Sequence, residues 1–182
     1  MKQLAQEISQ MANHDLAVRD RLLADGTLFD GYHPDMEAVH RTNAARLRDI
    51  IALIGWPTRS KVGNEASQAA WLIAQHAIGE ASFMRHCYAL MQNVLDDINP
   101  QNVAYLYDRI CYFEGRPQRY GTQYYDEQHM YPVENKEAVN TLREELQLPP
   151  IPEERIVEFS PTLAELQPDS GPEEWRRKAG WI

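Results

Sequence analysis

The chain of 182 residues is poor in cysteine, in long apolar runs and in positive charge. Its two cysteines, Cys87 and Cys111, are too few for a disulfide framework. That usage fits a reducing, cytoplasmic compartment. The longest apolar run is Ile50-Ile51-Ala52-Leu53-Ile54, far short of the roughly 20 residues that cross a bilayer. The opening stretch, Met1-Lys2-Gln3-Leu4-Ala5-Gln6-Glu7, has polar residues where a secretory leader carries its apolar segment, so no leader is expected. Lysine and arginine number 18 against 27 acidic residues, a net charge of −9. With no basic face to neutralise phosphates, nucleic acid and anionic membrane are both excluded as partners. The nine glycines never form Gly-x-Gly-x-x-Gly or a phosphate loop, and no Gly-x-Ser-x-Gly elbow marks a serine hydrolase.

What is present reads as a folded helical protein. Apolar residues make up 43% and charged residues 25%, too apolar a balance for wholesale disorder. Leu4, Ile8, Met11, Val18 and Leu22 step by three or four along residues 2–24, with the polar Asp15 interrupting the stripe. Asp25-Gly26 closes that helix. A second starts at Pro34-Asp35, where proline's missing donor is not needed, and stops at Gly55 before Pro57. The loop Trp56–Gly63 leads to a third helix, beginning near Asn64 and running to Gly79. Its small residues allow close approach of a neighbour, which predicts a central position. Residues 81–98 form a fourth helix, and Pro100 opens a fifth that Gly115 and Pro117 end.

The period then changes. Gln118 to Val133 is rich in tyrosine and predicts a β-hairpin or irregular strand pair around Asp126–His129. A further helix is expected over roughly 135–147. Six of the 11 prolines fall after Leu148, breaking helical continuity. Ile156, Val157, Phe159, Leu163, Leu166, Trp175 and Trp181 would nevertheless be costly to leave in water, at about 1.5–3 kcal/mol per large side chain. The expectation is a mainly α fold of five to six packed helices with a short β-hairpin. A helical domain over 1–147 would carry an extended proline-rich strap over 148–182.

Metal chemistry finds little support in the spacing. Histidines stand at 14, 33, 40, 76, 86 and 129, with no His-x3-His pair and no Cys-x2-Cys. Glu37-x-x-His40 is one half of a di-iron pattern without its second copy, and reads as a surface pair. No metal site and no cofactor are expected. Both cysteines lie on apolar stripes and read as core packing.

Three polar stretches remain: Gln75-His76 near the end of the small-residue helix, Asp108-Arg109 in the fifth helix, and Gly115–Gln123 after it. An imidazole switches near neutral pH, which suits His76 as acid or base. Asp108 could orient it, and Arg109 could clamp a carboxylate or phosphate with its planar fork. Trp56, Gln75, Gln118, Tyr120, Thr122 and Gln123 would line a ligand site, with Gly121 letting backbone approach.

The same stretches resemble a bacterial family of uncharacterised proteins, a domain of unknown function. The likeness rests on Gly55-Trp56-Pro57-Thr58-Arg59-Ser60-Lys61-Val62-Gly63, on Gln68 to Ala77 with Gln75-His76-Ala77, on Ala104 to Arg109 with Asp108-Arg109, and on Gly115 to Gln123 with Gln118-x-Tyr120-Gly121-Thr122-Gln123. It spans about residues 45–147 and implies no established reaction or ligand. Two classes of function follow. One is a small-molecule-binding or acid/base enzyme domain acting on a small polar substrate. The other is a non-catalytic acidic interaction protein of the inhibitor or immunity type, drawn to a basic partner. A homodimer whose motifs only stabilise the fold is a third reading, and the sequence sets no oligomeric state.

Overall fold

The computed structural model describes residues 1–29, 31–126, 129–159 and 173–182. Two compact units divide the chain, Met1–Asn99 and Pro100–Ile182.

The N-terminal unit is a helical bundle of α1 (Lys2–Ala24), α2 (Pro34–Ile54), α3 (Arg59–Val62), α4 (Asn64–His76) and α5 (Ala81–Gln92), closed by a 3-10 turn at Leu95–Asp97. Helix α4 packs against α1, α2, α3 and α5. Ala66, Ala69, Ala70 and Ala74 are buried along it, and their small side chains let four neighbours approach. Helices α1 and α2 run antiparallel in a register set one turn at a time. Arg46 Nε donates to Glu7 Oε1 at 2.6 Å, Asn43 Nδ2 donates to the Met11 carbonyl at 3.2 Å, and His40 Nε2 lies 3.4 Å from Asp15 Oδ2. The last rung places an ionisable pair inside the bundle.

Local chemistry sets the helix ends. His33 Nδ1 accepts the Asp35 amide at 3.1 Å ahead of α2, with Pro34 in the first turn. At its other end Lys61 Nζ donates to the carbonyls of Ile54 (2.6 Å) and Trp56 (3.1 Å), satisfying acceptors that a helix terminus leaves open. The Trp56–Gly63 loop therefore contains a helical turn, α3, that the sequence reading did not anticipate. Helix α5 stops at Gln92 rather than near 98.

In the C-terminal unit lie α6 (Pro100–Glu114), α7 (Val139–Glu145) and α8 (Glu173–Ala179), with a 3-10 turn at Glu153–Arg155. The expected β-hairpin over Gln118–Val133 is not formed. Among the described residues there is no strand, only isolated bridges pairing Gln118 with Val133, Tyr124 with Met130, and Val133 with Glu158. Side chains explain the outcome, because they take the backbone groups that a ladder would use. Gln118 is fully buried. Its Nε2 donates to the carbonyls of Gln123 (3.0 Å) and Tyr131 (2.5 Å), and its Oε1 accepts the Gln123 amide at 2.8 Å. Asp108 claims the amides of Arg119, Tyr120 and Thr122.

Part of the proline-rich segment is packed. Ile151 and Ile156 join Met130, Val133 and Val139 in an apolar cluster. Trp181 is buried and stacks on Phe113 at 5.1 Å between ring centroids. Val157 is exposed. The segment is not extended throughout, since α8 is a helix with Glu173 and Glu174 in its first turn and Arg176, Arg177 and Lys178 in its last, charges that complement its dipole. Leu163 and Leu166 lie outside the described residues. Among the described residues no helix is long and apolar enough to cross a membrane.

Candidate functional site

Asp15 sits midway along α1 on the face turned into the N-terminal unit, and its side chain is 1% exposed. A carboxylate there must find compensation, because an unpaired buried charge costs several kcal/mol or more. Two imidazoles meet it. His76, the last residue of α4, places Nδ1 2.8 Å from Asp15 Oδ1. His40, in the second turn of α2, brings Nε2 to 3.4 Å from Asp15 Oδ2. The two rings lie 5.3 Å apart between centroids. Behind them the Tyr32 hydroxyl is 2.8 Å from His40 Nδ1, with the phenol ring stacked on the imidazole.

The electrostatics follow from that geometry. Burial pushes the Asp15 carboxyl up, but the flanking His40 and His76 outweigh it and hold the group well below the usual carboxylate range. Asp15 is therefore an anion. Burial raises the Tyr32 phenol above its ordinary value, so it keeps its proton. His40 is almost wholly enclosed, whereas the His76 side chain is 20% exposed and gives the cluster its opening to solvent. Asp15 Oδ2 and His40 Nε2 are buried and have no hydrogen-bond partner. Such orphaned groups are uncommon in folded interiors, and these two face each other at 3.4 Å.

His40 corrects the sequence reading. Taken as half of a surface pair with Glu37, it points inward instead, while Glu37 binds Arg41 on the outside at 2.9 Å. Tyr32 is absent from the sequence-based candidates, and Asp15 appears there only as a polar interruption of an apolar stripe. The signal for Asp15 was present as the one charged residue on the apolar stripe of α1. Its partners come from residues 40 and 76, with Tyr32 behind His40, spacings that match no local motif.

Of the residues expected to carry function, Trp56, Gln75 and His76 belong to the N-terminal unit. Trp56 and Gln75 are buried, and Trp56 Nε1 and Gln75 Oε1 have no hydrogen-bond partner. The carboxylate on His76 is Asp15. An open groove in this unit runs along Gln6, Ser9, Gln10 and Asn13 of α1 to Asn64 and Glu65 of α4, and none of the cluster residues lines it.

The remaining candidates come together in the C-terminal unit. Asp108 is fully enclosed. Its Oδ1 accepts the Arg119 amide at 2.8 Å, and its Oδ2 accepts the Thr122 amide at 3.0 Å and the Thr122 hydroxyl at 2.9 Å. The Tyr120 amide reaches both oxygens at 3.1 Å. Burial nevertheless pushes this carboxyl up to about 6. Arg109 Nη1 donates to Gln123 Oε1 at 3.4 Å, and Gln123 Nε2 to Thr122 Oγ1 at 3.1 Å. Gly121 adopts φ +65°, and a Cβ there would meet Ile151 Cδ1 at 2.5 Å. What approaches this glycine is the apolar cluster. Arg143, which the sequence reading passed over, donates to the carbonyls of Pro149 and Tyr120, each at 2.7 Å, and fixes the loop to α7. Cys87 and Cys111 are buried and free. Burial raises both thiols, Cys111 to about 12, so neither is a ready nucleophile.

The chain belongs to a family of unknown function (DUF6624), whose model matches residues 2–163. No curated protein and no solved structure matches it. The family span is wider than the 45–147 read from the motifs and takes in α1, so Asp15, Tyr32, His40 and His76 all fall inside it.

Proposed function

We propose that this member of a family of unknown function is a small-molecule domain performing acid/base chemistry, hydrolysis or group transfer, on a small polar substrate. Its working centre is the Asp15–His40–His76 cluster of the N-terminal unit. One observation carries the reading: an enclosed carboxylate hydrogen-bonds an imidazole whose side chain is itself 20% exposed. That is the arrangement by which a carboxylate fixes the orientation of a histidine that exchanges a proton with a bound molecule. Asp15 and His40 are positioning residues in this scheme, and His76 is the group that touches substrate. Gln75, next to it in the chain, has a buried side-chain oxygen with no protein partner, an acceptor suited to a substrate hydroxyl or amine.

The Asp108 loop has a separate task. Its donors and acceptors are directed at one another, so Asp108, Gln118 and Thr122 act as the framework of the C-terminal unit, with Arg109 and Tyr120 at its margin. The two free, buried cysteines suit a reducing bacterial cytosol.

A thermal-shift screen of small polar metabolites against wild type and His76→Gln tests the proposal. A ligand that binds only the folded state raises the melting temperature, by about 2.7 kcal/mol of added stability at 100 times its dissociation constant. The expected result is a compound class that shifts wild type and leaves His76→Gln unmoved. Shifts of equal size in both proteins would place the ligand elsewhere and refute the assignment.

A further inference from the structure

We propose that Asp15, His40 and His76 bind a divalent first-row transition-metal cation of the zinc type. The inference deepens the acid/base reading and rests on it in placing the working centre at these three side chains. It begins from the donor set. One carboxylate and two imidazoles, each offering a ligand atom, bring those atoms within 4.8 Å of one another. Mixed nitrogen and oxygen donors of this kind suit zinc and its neighbours rather than calcium or magnesium, which take oxygen.

The orphaned atoms give the second, independent argument. Asp15 Oδ2 and His40 Nε2 face each other at 3.4 Å, both buried and both without a hydrogen bond. A proton shared between them would draw them to about 2.8 Å along a straight N–H···O line. Two ligands on one tetrahedral ion, each at about 2.0–2.1 Å, lie about 3.3–3.4 Å apart. The observed spacing is that of co-ligands. Tyr32 completes the arrangement from behind. Its hydroxyl oxygen can accept the Nδ1–H of His40, which leaves Nε2 with a free lone pair directed at Asp15. An outer partner that fixes the tautomer in this way is the usual companion of a metal-bound histidine.

The third ligand is His76, whose Nδ1 is hydrogen-bonded to Asp15 Oδ1 at 2.8 Å. Loading requires Nδ1 to give up the proton of that bond, which Nε2 takes as the ring changes tautomer. Nδ1 then binds the cation in place of Oδ1 while Asp15 binds through Oδ2 alone, a small movement for a side chain at a helix end. Three protein ligands leave one position vacant, and the partial exposure of His76 directs it to solvent. That is the pattern of catalytic rather than structural zinc sites. Such a cation supplies a Lewis acid and an activated water for hydrolysis. The ligands come from α1, α2 and α4, so the cation also fastens three helices together, which explains why no contiguous motif revealed it.

The experiment uses the full chain, stripped with a chelator and titrated with cobalt(II) as a coloured substitute for zinc. Wild type should develop visible ligand-field bands that saturate at one ion per chain and vanish on adding zinc, and zinc alone should raise its melting temperature. His76→Gln and His40→Gln should each weaken zinc binding by about 100-fold or more, and Tyr32→Phe by about tenfold. His129→Gln, which removes an exposed imidazole from the other unit, should bind as wild type does. Circular dichroism checks that each variant is folded; because His76 is partly exposed, its variant tests the site even where His40→Gln loses structure. No bands and no zinc-induced shift in wild type would overturn the proposal, as would bands that persist undiminished in folded His76→Gln. The two readings fail separately. A His76-dependent small ligand bound by chelated protein without cobalt bands refutes the metal alone, and cobalt binding with no His76-dependent ligand refutes only the substrate reading.

Discussion

Gly121 and Asp15 show how much a single residue decides. At Gly121 the backbone is left-handed, and the site of a Cβ is occupied by Ile151 Cδ1 at 2.5 Å, with Met130 and Val139 close behind. Gly121→Ala therefore combines backbone strain with overpacking and should cost about 2–4 kcal/mol of stability, read from the urea midpoint at unchanged slope. A Gly31→Ala control, with positive φ but open space around it, should cost only the strain, about 1 kcal/mol. Equal losses at the two positions would show that packing at Gly121 is not the cause. The sequence announced a glycine in a polar run, and the natural inference was room for a ligand. Nothing local indicates that an isoleucine thirty residues later fills that room. Asp15 is the opposite case, since its position on an apolar stripe demanded a buried partner, yet periodicity cannot say which of six histidines supplies it.

At the scale of elements, the helices were legible wherever proline and glycine mark their ends. Pro34, Gly55, Asn64 and Pro100 stand at the observed boundaries of α2, α4 and α6, because they act through the backbone of their own turn. In the tail the prolines predict an extended chain, although α8 occupies Glu173–Ala179. The hairpin failed for a different reason. Tyrosine-rich, β-prone runs predict strands only if the backbone amides are free to pair, and here Gln118 and Asp108 take them. Gln118→Leu tests this directly. It keeps the volume roughly while leaving the Gln123 amide and the Tyr131 carbonyl without their partner; the Gln123 carbonyl keeps the Tyr131 amide. At about 1–3 kcal/mol for each unsatisfied buried group, the loss should be at least about 2 kcal/mol. Hydrogen exchange at Gln123 and Tyr131 should accelerate, while amides of α1, α2 and α4 keep their protection. Loss of protection in both units together would contradict a role confined to this loop.

For the molecule as a whole, the two units should answer acid in opposite ways. In the N-terminal unit Glu7 is held low by its hydrogen bonds from Arg46, and Asp97 by those from Ser60 and Thr58. Carboxyls depressed in the fold contribute stability above their unfolded values near 4 and lose it as pH falls further. In the C-terminal unit Asp108 is raised by burial to about 6 from 3.8, and the groups that face it are the amides of Arg119, Tyr120 and Thr122 and the Thr122 hydroxyl. Here the sign reverses: the contribution is complete below the unfolded value and disappears as pH rises through about 6. Between about pH 7.5 and 5 Asp108 changes charge while Glu7 and Asp97 stay ionised, so acidification strengthens the C-terminal unit by about 1 kcal/mol, or roughly a fivefold to tenfold gain in amide protection. Segment-resolved hydrogen exchange, corrected for intrinsic rates, should show that gain in α6 and in residues 118–123, with none from these carboxyls in α1 and α2. Asp108→Asn should erase it by removing the titrating group. A gain that persists in Asp108→Asn would assign the response to another group, and equal gains in both units would mean that the carboxyl burial distinguishing them does not govern their stability.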